Sequence, residues 1–523
     1  MANHDALLDA GRARVAALRA TLEARDAAPV KLIETHISWV LLARDAAYKL
    51  KKPVRLPFLD FTTLVSRQRS CDQELGLGRR LAPEIYLDIV EVREGPAGPC
   101  FGGSGPLLDV AVHMRRFPDG ALWSERLAAA TLTASHIDAF AQRLTAFHRD
   151  AAVAPTDGVF GSAAVRGRVV GRLVAGIDAW QGRLATPDPA WPALRAWLGD
   201  ELARLAPFWP ARLRTGHVRE GHGDLHLGNV LQLGDEAIAF DGIEFDAELR
   251  WIDVLDDSAF LVMDLMAHGR RDLAFRFLDA CLEAGGDRDG LPALRFFLVS
   301  RALVRAQVAT LGPAPDAGLP GVPEAGDYLG LASSLSRGAD ARLAITHGLP
   351  GSGKTFVSQR LLEAAGAIRV RSDVERKRLF GLQPLEPSQG QVAEGIYGAA
   401  ATEQTYAQLL GVAHTALRAG WPSVVDAAFL RRSERASFAA LAAALAAPFA
   451  IVDCRAELPL LRVRVCEREA RADDASEAGV DVLERLAGVA EPLDDDEQAL
   501  AIPVGPESPV DASALARVWL KRR

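Results

Sequence analysis

Lysine and asparagine are nearly missing from this sequence. Lysine and arginine together number 60 in 523 residues, yet lysine stands only at 31, 49, 51, 52, 354, 377 and 521. Asparagine occurs only at 3 and 229. Arginine is the default cation, so a lysine that persists marks a place for a compact ammonium rather than a planar fork. Three of those lysines fall in AYKLKK and one in GKT. The five cysteines, at 71, 100, 281, 454 and 466, are scattered without a CxxC pair. That speaks against a zinc ribbon or disulfide scaffold and for a reducing cytoplasm. Long apolar runs are lacking too. The longest, Phe438 to Val452, is Ala-rich, contains Pro448 and is too short to span a bilayer; it reads as a buried helix running into a strand. The opening MANHDALLDAGRARV has no apolar stretch of the kind a secretory leader needs. A net charge of -8 weighs against a general binder of nucleic acid or anionic membrane.

What is present is enough apolar material, 49% of the chain, for two or three buried cores. Residues 1–30 read as an Ala/Arg-rich amphipathic helix. THISWVLLARDAAYKLKKP reads as two strands around a turn at Arg44-Asp45. A helix over 62–82 holds Glu74, IYLDIVEV and DVAVHMRRF are strand-like, and a Gly/Pro-rich loop covers 95–106. From about residue 124 the pattern is mainly helical, which makes a small lobe followed by a larger one. The Pro/Gly-rich stretch TLGPAPDAGLPGVPEAG is the linker candidate, and a short helix over 327–337 follows. From Arg342 the order becomes strand, Gly-rich loop and helix, with further strands at IRVRS, PSVVDA and FAIVD; this alternation predicts a parallel sheet with helices on both faces. The expected domains are 1–311 (small lobe about 30–120, large lobe about 121–311), a linker over 312–340, and 341–523.

Two phosphate-transfer signatures lie on the chain. The first is HGDLHLGN at 222–229 with FDGIEF at 240–245. Phosphoryl transfer needs a carboxylate near the attacking hydroxyl and oxygen ligands for magnesium. Asp224 suits the first task; Asn229, five residues on, and Asp241, at the end of a strand, suit the second. These residues resemble the aminoglycoside phosphotransferase and choline kinase branch of the protein-kinase-like fold, in which HGDxHxxN replaces HRDxxxxN. The resemblance implies that Lys49 pairs the ATP phosphates, with Lys51 as runner-up on the same strand face, and that Glu74 is the helix partner of that lysine. One departure is plain: no GxGxxG precedes Lys49. Glu244, Asp246, Asp253, Asp256 and Asp257 offer a site for a cationic substrate, or, for Asp253, a helix cap. His113 and His148 read as ordinary fold residues.

The second signature is GLPGSGKT at 348–355, which satisfies GxxxxGK[ST] between the strand LAITH and the helix FVSQRLLEAAG. Backbone N–H groups around Gly348, Gly351, Ser352 and Gly353 would wrap phosphates at a helix N-terminus. Lys354 would reach the β- and γ-phosphates, and the Thr355 hydroxyl would bind magnesium. No NKxD is present, which excludes a guanine nucleotide enzyme of that type. Asp426, ending PSVVDA, suits a magnesium carboxylate or a turn. Asp373 and Arg376 in RSDVERKR follow the second strand, where the crevice of a doubly wound sheet opens. Asp373 would activate an acceptor hydroxyl and Arg376 bind an anionic group on it, or both belong to a solvated helix start. The DxxR spacing resembles that of polynucleotide kinases and related small-molecule P-loop kinases. Arg464, Arg468 and Arg471 fall on one helix face; they resemble the lid arginines of such kinases, or form a solvated basic face.

The whole chain resembles bacterial fusions of an aminoglycoside-phosphotransferase-like domain with a P-loop kinase domain, through THISWVLL, AYKLKKPV, FLDF, RWIDVLDDSAFLVMDL and SRALVRAQV. That resemblance implies an α+β protein-kinase-like N-terminal domain and an α/β P-loop C-terminal domain with a parallel sheet. It further implies ATP and Mg2+ as cofactors and small hydroxyl compounds as acceptors. At the second site the residues point to an anionic acceptor, a nucleotide or polynucleotide end before a sugar acid or sugar phosphate. The rival expectation is a nucleotide-sensing protein that binds ATP without transfer. Oligomeric state has no signature.

Overall fold

Alternation decides the first sheet. In Ala46–Lys51 one set of side chains, Tyr48 and Leu50, joins Trp39 and Leu41 against Val15, Leu18 and Leu22 of the helix Ala2–Asp26. The other face, with Ala47, Val110 and Val112, is covered by Cys71 and Leu75 of the helix Leu64–Leu81. The period of two sorts residues to opposite faces, so each strand feeds two cores. The computed structural model describes residues 2–56, 59–310, 322–338, 340–388, 396–471, 474–505 and 511–522. They fall into two compact units, 1–268 with 296–333, and 269–295 with 334–523.

In the first unit six antiparallel strands run in the spatial order Lys31–Glu34, Ser38–Leu42, Ala46–Lys51, Leu107–Arg115, Tyr86–Gly95, Gly98–Phe101. The last strand lies inside the stretch expected to be loop; it pairs as a hairpin with Tyr86–Gly95 through Gly98, whose φ of +108° only glycine adopts readily. Where a glycine-rich turn was absent from the sequence, Glu34 and Ser38 are joined by Thr35–Ile37, and Lys52 Nζ pins this turn through Glu34 (2.6 Å) and the Thr35 carbonyl (2.5 Å). Helices follow, and among them two small antiparallel pairs, Val218–Glu220 with Trp251–Asp253 and Val230–Leu233 with Glu236–Ala239, frame the segment 222–245. The strand-rich part precedes a larger helical part, the α+β small-lobe and large-lobe arrangement expected of this stretch.

In the second unit five strands, all parallel, run in the order Ile368–Arg371, Pro422–Asp426, Arg342–His347, Phe449–Cys454, Ala501–Val504. The first four were expected and the fifth was not. Leu409, Val412, Phe438 and Ala442 cover one face of the sheet. The helix Lys354–Ala365 packs with Ala512–Lys521 and with Arg271–Gly285. That last helix lies in the stretch expected to belong to the first domain. Its Asp279 carboxylate accepts from Arg369 Nη2 at 2.6 Å, and Glu283 lies 3.4 Å from the same atom. The helix Ala325–Arg337 forms as expected, whereas the linker core, 311–321, lies outside the described residues. No helix among the described residues is long and apolar enough to cross a membrane.

Candidate active sites

The pleat of Ala46–Lys51 sends Lys49 and Lys51 toward the same helix, and one carboxylate meets both. Lys49 Nζ donates to Glu74 Oε1 at 2.8 Å and pairs with the Asp241 carboxylate. Lys51 Nζ stands 2.5 Å from Glu74 Oε2 and 2.5 Å from Glu244 Oε1. Burial alone would raise the Glu74 pKa, but the two ammoniums overcome it and hold the carboxylate below its ordinary range. Burial works to neutralise Lys49 as well; Asp241, Glu74 and Glu244 reverse this and keep it charged. Of the two lysines only Lys49 reaches Asp241, and Lys51 is sealed off with no exposed surface. A depressed carboxylate stabilises the fold above its ordinary pKa, and that contribution is lost as pH falls through the folded value. Glu74→Gln therefore lowers stability at pH 7 by about 1.5–3 kcal/mol, the scale of a hydrogen bond to a charged group. Urea melts should show this deficit at full size above about pH 4.5 and shrinking below it.

The segment 222–229 is braced from below. Asp257 accepts the backbone N–H groups of His222 and Gly223, each at 2.9 Å, and binds His148 Nε2 at 2.9 Å. Asp264 accepts Leu227 N at 3.0 Å and the Tyr328 hydroxyl at 2.9 Å. Gly223 has φ +84°, and a Cβ there would stand 2.7 Å from the Leu249 carbonyl oxygen, so the glycine of HGD is required by space and by conformation. His222 Nδ1 accepts the Asp224 N–H at 3.2 Å, which leaves its Nε2–H to donate to the Phe240 carbonyl at 2.8 Å. His222 thus ties the Asp224 turn to the strand end that carries Asp241. Asn229 Nδ2 donates to the Asp224 carbonyl (2.9 Å) and to Asp224 Oδ2 (3.1 Å). Its Oδ1 accepts no hydrogen bond among the described residues, so the atom a metal ion would use is free. Asp241, at φ +60°, holds a left-handed conformation uncommon among non-glycine residues, of which aspartate is one of those that adopt it most, and its N–H donates to the Tyr86 hydroxyl at 3.0 Å. Burial raises the Asp224 pKa, but His226, Arg305 and His222 together drive it well below the usual carboxylate range.

The five acidic residues offered for a cationic substrate are all occupied. Glu244 takes Lys51 and the Ser70 hydroxyl; Asp246 caps Ala247–Arg250; Asp253 caps Val254–Ala267 and binds both Arg212 nitrogens at 2.7 Å. Asp256 lies between Arg166 and Arg301, and Asp257 holds the loop. Four of the five are buried charges, which persist only when paired, so that expectation is withdrawn. Tyr86, Asp264 and Arg301 were missed; nothing in their neighbourhoods marks them, because their partners lie far along the chain.

In the second unit the loop 348–353 leaves the strand Arg342–His347 and enters the helix Lys354–Ala365. Gly348, Gly351 and Gly353 have φ of +141°, +82° and +91°. A Cβ on Gly351 would stand 2.9 Å from the Leu461 carbonyl oxygen. Lys354 Nζ donates to the Leu349 carbonyl at 2.9 Å; burial lowers its pKa, against the pull of Asp426, Cys454 and Asp373. Asp426 Oδ2 accepts from Ser358 Oγ at 2.9 Å. The Ser352 hydroxyl is buried with no hydrogen-bond partner, an orphan at the helix N-terminus that suits phosphate oxygens. The Thr355 hydroxyl, with no hydrogen bond among the described residues, and the Asp426 carboxylate are hard oxygen donors of the kind a magnesium ion takes.

Asp373 makes no hydrogen bond or ion pair among the described residues, yet its charge acts on Lys354 and Arg371. Arg376 differs from expectation. It is buried, donates Nη1 to the Ile396 carbonyl (2.8 Å) and Thr402 Oγ1 (3.2 Å), and lies over the Tyr397 ring. Its Nε is buried without a hydrogen-bond partner, and its Nη2 makes no hydrogen bond among the described residues. Arg464 Nη1 is 3.4 Å from the Gly351 carbonyl, and Arg468 donates to the Ala478 carbonyl at 2.5 Å. Arg371, not foreseen, joins Asp474 (3.0 Å), Glu283 (3.7 Å) and Asp426 (3.8 Å).

Residues 343–493 match the AAA_33 family, described as an AAA domain. The uncharacterized protein Rv2004c of Mycobacterium tuberculosis is 30% identical over 472 residues, covering 87% of this chain and 89% of its own. The uncharacterized protein Mb2027c of Mycobacterium bovis matches to the same extent. Among solved structures, a choline/ethanolamine kinase family protein from Mesorhizobium loti is 13% identical with a TM-score of 0.37, over 62% of this chain and 94% of that one. A gluconokinase from Sinorhizobium meliloti is 18% identical with a TM-score of 0.24, over 35% and 91%.

Proposed function

The chain belongs to the family of these mycobacterial proteins, and from its two sites we propose an ATP- and magnesium-dependent phosphotransferase of the kinase class, with one alcohol-phosphorylating site in each unit. The observation that carries the reading is the first constellation: Lys49 between Glu74 and Asp241, with Asn229 bonded to Asp224. Lys49 would bind ATP phosphates, Asn229 and Asp241 would hold magnesium, and Asp224 would orient the acceptor hydroxyl. At the second site the loop through Gly348, Gly351, Ser352 and Gly353 would cradle phosphate. There Lys354 would reach the transferred group, Thr355 and Asp426 would hold the metal, and Arg464 and Arg468 would steady the developing charge from the lid. Magnesium supplies charge neutralisation across the phosphates when bound. The functional domains proposed are 1–311 and 341–523, joined by 312–340, with the stretch 269–295 packed into the second unit.

The first site would take a small hydroxyl compound, the second an anionic one, a nucleotide or polynucleotide end before a sugar acid or sugar phosphate. Transfer from γ-labelled ATP to a panel of hydroxyl metabolites and oligonucleotides tests this. ATP turnover coupled to no acceptor, with both nucleotides retained, would instead favour a nucleotide sensor. Calorimetric titration of the full chain should resolve two ATP sites, and Lys354→Ala should weaken one by about 10–100-fold, the loss of a charged hydrogen bond. Two sites of unaltered affinity in that variant would remove the loop from the proposal.

A further inference from the structure

Within the first unit two guanidiniums share one carboxylate. Asp256 accepts from Arg301 Nε at 2.7 Å and pairs with Arg166, and all three are buried. This triad carries one surplus positive charge. Arg301 is also engaged by the Gly223 carbonyl at 3.0 Å. Arg166 is different: its Nε–H is buried and has no partner among the described residues. The Ser300 hydroxyl is buried and unpartnered as well. A buried donor left unpaired costs about 1–3 kcal/mol, and native proteins seldom leave two such groups on one cavity.

Both groups line a single cavity of about 580 Å3, mouth included. The rest of its wall is largely apolar, with Val170, Leu173, Trp251 and Phe297; its other carboxylate, Glu248, is held by Arg168 at 2.5 Å and Arg172 at 3.4 Å. We propose that this cavity binds a small monocarboxylate with an apolar body. The carboxylate accepts from Arg166 Nε and Ser300 Oγ and neutralises the triad; the body lies against Val170, Leu173 and Trp251. A cation is repelled by the surplus charge, and a neutral alcohol leaves that charge uncompensated. Arg301 links the cavity to Gly223, the residue before Asp224, so an occupant bears on the segment that carries Asp224. The binding claim does not depend on transfer at Asp224.

The test uses the full chain and calorimetric titration with propionate, hexanoate and 3-phenylpropionate, set against 3-phenylpropan-1-ol and 3-phenylpropylamine. The larger carboxylates should bind saturably and about tenfold or more tighter than the alcohol, since 1.4 kcal/mol is tenfold, and the amine should not bind. Ser300→Ala should weaken carboxylate binding by about three- to tenfold. Val169→Trp, which fills the cavity from its lining, should remove binding, and both variants should keep the ATP titration of the parent. No saturable carboxylate binding would mean a cavity that holds water only and would overturn the proposal. So would an amine that binds as well as the acid, or binding untouched in both variants.

Discussion

Asp224→Ala lowers turnover at the first site by about 10²-fold or more, the scale on which misplacing a reacting group slows transfer, while ATP stays bound there. The experiment is done in a Lys354→Ala background, so that the second site does not mask the loss. ATP affinity survives because its proposed contacts, Lys49, Asn229 and Asp241, are untouched. The Asp224 carboxylate, held far below its ordinary range by His226, Arg305 and His222 against the push of burial, is a weak base. A loose phosphoryl-transfer transition state asks little proton removal of it. Its work is to orient the hydroxyl, so the pH profile of kcat/KM should show no acid limb from this group between pH 5 and 8, because a lowered pKa leaves it ionised throughout. Asp224→Asn separates the roles: it keeps the Asn229 contact in shape but loses the charge, and should resemble the alanine variant in kcat. Wild-type turnover in either variant would remove Asp224 from the site.

The first site was readable where its chemistry is local in sequence. HGDLHLGN and FDG bring three candidate positions, Asp224, Asn229 and Asp241, within twenty residues, and a helix with a single well-placed acid, Glu74, follows the lysine strand. What escaped is what depends on distant partners. Glu244, Asp253 and Asp256 look alike as letters in an acidic run. Lys51, Arg212 and the pair Arg166 and Arg301, each 40 or more positions away, turn them into buried ion pairs. The strand Ala501–Val504 is four residues long and gives no period to count. The helix Arg271–Gly285 has an ordinary amphipathic pattern; only the pairing of Asp279 with Arg369 reveals which unit it serves. Conversely, the loop 348–355 was legible in full, because positive-φ glycines and a helix start are local requirements.

The second large effect separates two residues that sequence spacing had joined. Asp373 and Arg376 lie three apart in the helix Ser372–Leu379, which predicted a shared crevice. Asp373 has a carboxylate without a hydrogen-bond partner among the described residues, close enough to Lys354 and Arg371 for its charge to act on both. A carboxylate left free beside a phosphate loop suits an acceptor hydroxyl, so Asp373→Asn should lower kcat at the second site by about 10²–10⁴-fold with acceptor KM little changed. Arg376 holds the Ile396 carbonyl and Thr402 through Nη1 and lies over the Tyr397 ring, which leaves Nε and Nη2, unpartnered among the described residues, for an anion. Arg376→Ala should then cost stability, about 1.5–3 kcal/mol for the lost charged hydrogen bonds, together with a rise in acceptor KM. A rise in KM with unaltered melting would restore Arg376 as an anion-binding side chain alone. Lost stability with an unaltered KM would make it a brace for the 396–402 segment. A wild-type kcat in Asp373→Asn would leave the ATP side of the site standing without an assigned acceptor group.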